Sequence, residues 1–272
     1  MRVNVLYSIW IKDCGKHAHE PFVWIMIEKG TLSGKNILLI GGGSGMGAAS
    51  ALALARNGAN VAIAGRRLEN LQLTASKSED TNKILLKEAD VTDRTSLNEL
   101  FYWYDKEIGE LDILVHAAGI NVALRSMEEL TPEEWDRLIQ INLTGSYNVA
   151  RLALSRMRLR KKGLIILINS VAGRRSVPLG GIGYNASKFG MSGLGMGIAE
   201  EEKDNGIRVT NLYPGEVNTP ILNNRKNPPN QEHRESIIQS EDIASIINQL
   251  CTLPERVHIP EMVIKPTRQS FV

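Results

Sequence analysis

Tyr184 and Lys188 stand four apart in "YNASK", and Ser170 in "INSVAG" precedes the tyrosine by fourteen residues. Residues four apart share one face of a helix. An ordinary tyrosine gives up its proton near pH 10, too high for exchange at neutral pH. An ammonium beside it favours the tyrosinate, and a helix N-terminus adds to that effect. Lys188 would thus tune Tyr184 into a general acid/base, and the Ser170 hydroxyl would hold a carbonyl oxygen beside it. The plain alternatives are an exposed tyrosine, a solvated lysine and a serine that caps a turn.

A second feature is "ILLIGGGSGMGAAS", residues 37–50, with five glycines in the seven positions 41–47. Glycine loses the most entropy on ordering, so such density suits a turn or a close approach to backbone. At a strand-to-helix turn, free N–H groups and a partial positive charge meet a pyrophosphate. Two registers fit: Gly43-x-Gly45-x-x-Ala48, and Gly41-xxx-Gly45-x-Gly47. The second begins where the strand ends and is the better geometric choice. A tight turn without a ligand remains the alternative.

The second strand ends "AGRR". An acid at that position holds a ribose 2′-hydroxyl in NAD-binding chains. Gly65 stands there instead, followed by Arg66 and Arg67, which suit a 2′-phosphate. NADP(H) is therefore the preferred cofactor, with NAD(H) second. The alternative is a pair of solvated arginines, electrostatically poor at a helix start.

These residues need elements to hold them. From Lys35 onward, short apolar runs alternate with helix-like segments. The strands are 36–40, 60–65, 83–90, 112–119, 163–170, 207–215 and 261–266. Helices lie between them, with Asp93 or Ser96 opening one. A single long helix over 131–158 starts on Thr131-Pro132-Glu133-Glu134. Asn142 lies within it, where asparagine is a mediocre helix former. Apolar strands separated by helices imply a parallel sheet covered on both faces, a doubly wound, three-layer α/β/α Rossmann-type fold. Residues 31–272 form that one domain, and residues 1–30 an N-terminal extension. A chain starting at Met26 is expected to fold and stay active, with Trp10 and Trp24 the packing residues of the arm. The Pro/Asn-rich stretch 223–235 reads as a mobile surface loop, and 221–237 as a lid over substrate.

Composition bounds the rest. The 272 residues carry 32 basic and 30 acidic side chains, net +2, with 43% hydrophobic residues. No basic stripe suggests nucleic acid. No apolar run approaches the roughly 20 residues that span a bilayer. Cys14 and Cys251 are far apart and in no metal-ligand spacing, as in a reduced cytoplasmic protein without a metal site.

In order along the chain, these pieces resemble the short-chain dehydrogenase/reductase family over roughly residues 31–268. The resemblance assigns Gly41, Gly43, Ser44, Gly45, Met46 and Gly47 to the cofactor loop. Asp90-Val91 looks like an adenine-contacting pair, and Ala117, Ala118 and Gly119 of "HAAG" match a cofactor-contacting turn that usually reads Asn-Asn-Ala-Gly. It implies that Asn142 organises a proton-relaying water, completing a catalytic set with Ser170, Tyr184 and Lys188. It also has Lys188 hold the nicotinamide ribose. "YPGEVNTP" supplies Pro214, Gly215, Val217 and Thr219 at the nicotinamide end. Departures are Ile40 for a usual threonine, His116 and Ala117 for two asparagines, and a 170–184 loop one residue longer than usual. The C-terminus also lacks the Gly-rich ending of 3-oxoacyl reductases. The implied activity is NADP(H)-dependent interconversion of a carbonyl and an alcohol: ketones, aldehydes, 3-hydroxy acids or 3-oxoacyl thioesters. The implied assembly is a homodimer or homotetramer built on the long helices after strands four and five. A cofactor-binding sensor or regulator without turnover is the rival function.

Overall fold

The computed structural model describes residues 32–78 and 84–270. The expectations for the N-terminal arm, with Trp10, Trp24 and the Met26 start, fall outside those residues. The opening elements are β1 (Asn36–Ile40), α1 (Gly45–Arg56), β2 (Asn60–Gly65), α2 (Leu68–Ala75), β3 (Leu85–Glu88), α3 (Arg94–Glu107) and β4 (Ile113–His116). There follow α4 (Pro132–Ile139), α5 (Gly145–Arg160), β5 (Gly163–Ile168), α6 (Ile182–Glu202) and β6 (Ile207–Pro214). The chain closes with β7 (Val217–Asn218), α7 (Gln231–Ser236), β8 (Ile238–Gln239), α8 (Ser240–Thr252) and β9 (Glu261–Ile264).

Seven strands form one parallel sheet in the order β3-β2-β1-β4-β5-β6-β9. The strands are apolar because both faces are covered, and all six residues of β5 are buried. Alternation divides the side chains between two cores. Leu38 and Ile40 face a core with Phe101 of α3, Met157 of α5 and Met191 of α6. Ile37 and Leu39 face another with Leu54 of α1, Leu71 of α2 and Ile247 of α8. After β3 the chain returns to lay β4 against the free side of β1. Ligands of such sheets bind in the crevice that this reversal opens at the carboxyl ends of the strands.

Helix starts follow the capping chemistry. Asp93 caps α3, its carboxylate accepting from the N–H of Thr95 at 2.8 Å and of Ser96 at 3.3 Å. Ser96 instead accepts from the N–H of Asp90 at 3.1 Å. Thr131 caps α4, with Pro132 in its first turn.

Two sequence expectations need correction. The helix over 131–158 is not one regular helix: α4 and α5 are joined by a π turn at Gln140–Thr144 that contains Asn142. The Pro/Asn-rich stretch is not plain loop. It carries a 3₁₀ turn at Pro220–Asn224 and the short helix α7, capped by Asn230. The pairing of β7 with β8 brackets that segment at its base. Among the described residues, no helix is long and apolar enough to cross a membrane.

Candidate active site

The glycine turn leaves β1 and passes under the end of β4. Gly41 has φ +88, and a Cβ there would lie 2.6 Å from the Ala118 nitrogen. A Cβ on Gly47 would sit 2.2 Å from the Gly41 carbonyl oxygen. Gly45 opens α1 with φ +52. The backbone therefore demands glycine in the 41/45/47 register, which resolves the two spacings. Ser44 precedes α1 without a capping side-chain bond, and the first turn of α1 holds no acid. That leaves a helix N-terminus suited to an anion.

A cleft of about 160 Å³ runs from this turn along the strand ends. It is lined by Gly41, Gly43, Ser44, Gly65, Arg66, Arg67, Asp90, Val91, Ala117, Ala118 and Gly119. Arg66 and Arg67 are exposed at its far end. The Asp90 carboxylate accepts from the Thr92 N–H at 2.9 Å and hydroxyl at 2.8 Å. A second cavity, about 170 Å³, adjoins the other side of the glycine turn. Ser170, Tyr184, Met46, Pro214, Gly215, Val217 and Thr219 all line it. Contact between the two regions is close: a Cβ on Gly45 would lie 3.1 Å from the Thr219 side chain. An extended dinucleotide fits these features. Its pyrophosphate would meet the α1 N-terminus, its adenosine end Arg66, Arg67 and Asp90, and its nicotinamide end Tyr184 and Thr219.

Ser170 ends the strand region of β5 and caps a 3₁₀ turn, its Oγ accepting from the Ala172 N–H at 3.1 Å. Its side chain lines the same cavity as Tyr184, which stands in the first turn of α6. Lys188 sits one turn further on, 3% exposed, with Nζ 5.8 Å from the centre of the Tyr184 ring. That ammonium donates to the Ile168 carbonyl at 3.1 Å. Asn142 is fully buried. Its amide donates to the Ile120 carbonyl and the Ser187 hydroxyl, both at 3.0 Å, and its oxygen accepts from the Ile120 N–H at 2.8 Å. The main-chain carbonyl of Asn142 accepts from Ser146 Oγ at 2.6 Å. Its side chain thus spends its hydrogen bonds tying the π turn to the segment after β4. Gly119, in that segment, comes close to both: a Cβ there would be 3.4 Å from the Asn142 oxygen and 3.7 Å from Lys188 Nζ.

Burial dominates the electrostatics of the ligand-free site. Burial pushes the Tyr184 phenol up, opposed by the nearby Ser170 hydroxyl and by the Arg125 guanidinium. Lys188 is not among the groups that lower it. Burial draws Lys188 itself down to about 7, because the site offers its ammonium no carboxylate among the described residues. His116, at the end of β4, is completely buried with neither ring nitrogen bonded, and burial with nearby Lys188 pushes it to about 3. It is a neutral packing residue behind the lysine. Sequence reasoning missed Arg125, which lines the Tyr184 cavity. No motif marks "VALRSM", and long-range contacts of Arg125 with Leu179, Gly181 and Ile182 bring it there.

Comparisons agree with this geometry. Residues 35–230 match the short chain dehydrogenase family. The chain is 35% identical over 246 residues to a glycine betaine reductase of Emericella nidulans, an alignment covering 88% of this chain and 19% of that much longer protein. It is 31% identical over 236 residues to an uncharacterized oxidoreductase of Staphylococcus aureus, covering 86% of this chain and 98% of the relative. It superposes with TM-score 0.78 on an alcohol dehydrogenase from Thermococcus sibiricus complexed with 5-hydroxy-NADP, at 27% identity, covering 87% of this chain and 98% of that one. With a parallel sheet, a glycine turn at its switch point and a family match over most of its length, the chain belongs to the short-chain dehydrogenase/reductase family of oxidoreductases.

Proposed function

We propose that the protein is an NADP(H)-dependent oxidoreductase that interconverts a carbonyl and an alcohol, with Tyr184 as proton donor and acceptor. The observation that carries this reading is the placement of Tyr184 and Ser170 in one cavity beside the glycine turn, with Lys188 buried behind the phenol. The bound nucleotide supplies or accepts the hydride. Ser170 holds the substrate oxygen, and Tyr184 passes it a proton as the carbonyl carbon is reduced. Lys188 faces the ring with a cation when protonated, and a ligand anion or ribose hydroxyls at its ammonium would raise its pKa from the ligand-free value. Asn142 fixes the segment after β4, so that Gly119 and the lysine keep their distance. Arg66 and Arg67, without an acid at Gly65, favour a 2′-phosphate.

The sensor alternative has less support, because all four residues of the catalytic set are present and Ser170 and Tyr184 line one cavity. Self-association is proposed through α5 and α6, where Tyr147, Phe189 and Met196 are 43–45% exposed, and the cytoplasm as the compartment. The deciding experiment follows NADPH consumption against a panel of small ketones, aldehydes and oxo acids. Turnover that vanishes in Tyr184→Phe supports the enzyme; an NADPH-binding protein inert to the whole panel supports the sensor.

A further inference from the structure

The Tyr184 cavity contains two guanidiniums, those of Arg125 and Arg225. They are not equivalent. Arg225 is paired with Glu216, whose second oxygen is held by His233 at 2.8 Å. Lys226, on the same segment, is paired with Glu129 at 3.1 Å. Arg125 has no carboxylate within 4 Å among the described residues. Its Nε donates to the Val122 carbonyl at 2.5 Å, and one terminal nitrogen to the Leu179 carbonyl at 2.7 Å. Those acceptors are neutral. They aim and hold the group without compensating its charge, and they leave three of its five N–H groups available.

The backbone of Arg125 is equally fixed. Its carbonyl accepts from the Ile182 N–H at 3.1 Å, at the start of α6. Gly181 there has φ +79, and a Cβ on it would lie 2.3 Å from the Arg125 Cβ. Arg125 is thus locked to the helix that carries Tyr184, three residues before the phenol. A half-buried cation is costly unless a negative charge meets it. Burial and the neighbouring Arg225 both lower its proton affinity, and Tyr184 partly restores it.

We propose that the carbonyl substrate carries a carboxylate and that Arg125 binds it, making the protein a short-chain oxo-acid reductase or hydroxy-acid dehydrogenase. This rests on the oxidoreductase reading above. The cavity supports a compact substrate: its about 170 Å³, close to the roughly 150 Å³ of a benzene-sized void, must also admit the nicotinamide end placed at Tyr184 and Thr219. Val177, Leu179 and Leu222 supply an apolar wall for a short carbon chain. A quaternary ammonium would be repelled at the same place.

The test uses the full-length protein saturated with NADP⁺, where a ketone binds without being reduced. Acetoacetate, methyl acetoacetate and (2-oxopropyl)trimethylammonium are titrated calorimetrically. Acetoacetate is expected to bind at least about tenfold more tightly than its ester, as a charge-assisted bidentate contact implies. Arg125→Gln should shrink that ratio by about 10- to 100-fold, while Arg125→Lys, which keeps the charge, should retain part of it. Equal binding of acid and ester by the parent protein overturns the proposal, as does preference for the cation, absence of binding by all three, or equal losses for acid and ester in Arg125→Gln. The parent comparison needs no variant, so a folding defect cannot mask the answer. A parallel NADPH assay separates the two readings. Arg125-dependent binding of acetoacetate without turnover of any compound counts against the oxidoreductase, whereas turnover of ester and acid alike sinks only the carboxylate site.

Discussion

The ammonium of Lys188 lies 5.8 Å from the centre of the Tyr184 ring and bonds the carbonyl of Ile168, not a carboxylate. Two consequences follow from that placement. The lysine reaches the tyrosine through space and not by a shared hydrogen bond. Its charge also depends on what else enters the site, because burial alone draws it to about 7.

Tyr184→Phe removes one hydroxyl and leaves the ring packed beside Lys188. The expected outcome is a kcat lower by about 10²–10⁴-fold, the usual worth of general acid catalysis, with NADPH affinity within about threefold. Steady-state kinetics alongside a fluorescence titration of NADPH measure both. Full activity in the variant would remove Tyr184 from the mechanism and leave the fold as it is.

Lys188 makes stability depend on alkaline pH. Its folded pKa is about 7 and its unfolded value about 10.4. Between these values the unfolded chain binds a proton that the folded chain lacks, so stability rises with pH across that window. The gain is complete above the unfolded pKa and is lost as pH falls to about 7. Urea midpoints from pH 7 to 10 should therefore climb more in the parent than in Lys188→Met. Parallel curves for the two proteins would show that the lysine is not buried as a neutral amine. Saturating NADPH, by favouring the protonated lysine, should flatten the parent curve.

In the proposed function, Gly65 and Arg66 favour NADP(H) over NAD(H). The double change Gly65→Asp with Arg66→Ala places an acid where a ribose hydroxyl would lie and removes one phosphate partner. A charge-assisted contact is worth about 1.5–3 kcal/mol, so the NADPH/NADH preference should fall by about 10- to 100-fold. Gly65 has room for the change, since its Cβ would meet only the Leu71 side chain at 3.6 Å. Dissociation constants for both nucleotides decide it. Equal affinities in the parent would show that the arginines carry no preference.

Glu216 holds the segment over the Tyr184 cavity. It pairs with Arg225 at one end and with His233 of α7 at the other, while Arg234 reaches Asn218 at 3.3 Å and Asn223 at 2.6 Å. Residues 221–237 are expected to be cut by protease in the free protein and protected with NADPH and substrate. Glu216→Gln should speed cleavage of the free protein by about threefold or more. Lys226→Ala should change it little, because the pair with Glu129 is exposed and such pairs contribute about 0–1 kcal/mol. Identical cutting with and without ligands would dismiss the lid.

The sheet was legible because parallel strands buried on both faces need unbroken apolar runs, as in "GLIILI" and "NILLI". Of the proposed catalytic side chains, Ser170 was legible because it follows β5, and Tyr184 and Lys188 because they keep helical spacing on α6. Other features were hidden for physical reasons. The burial that raises the Tyr184 phenol depends on the surrounding walls and has no local signature. Arg125 reaches the cavity through a contact with Gly181, 56 positions away, and a lone arginine in a loop announces nothing. The six residues of α7 are too few for a hydrophobic period, and their polar side chains are fastened by Glu216 and Asn218. The π turn is invisible because the modest helix propensity of Asn142 and Thr144 does not distinguish it from an ordinary helix.

That π turn has a consequence for chain length. A π turn holds what amounts to one surplus residue in a helix, and each residue of an α-helix advances the chain by about 100°. Deleting one residue of 140–144 other than Asn142 would restore regular winding, and by propensity alone it should look harmless. It would also force a choice. Either α5 keeps Val149 and Met157 in the core and Asn142 swings off Ile120, or Asn142 stays and α5 rotates its apolar face away from the sheet. The surplus residue works as a phase shifter between two commitments of one helix, so in this stretch the count of residues matters as much as their identity.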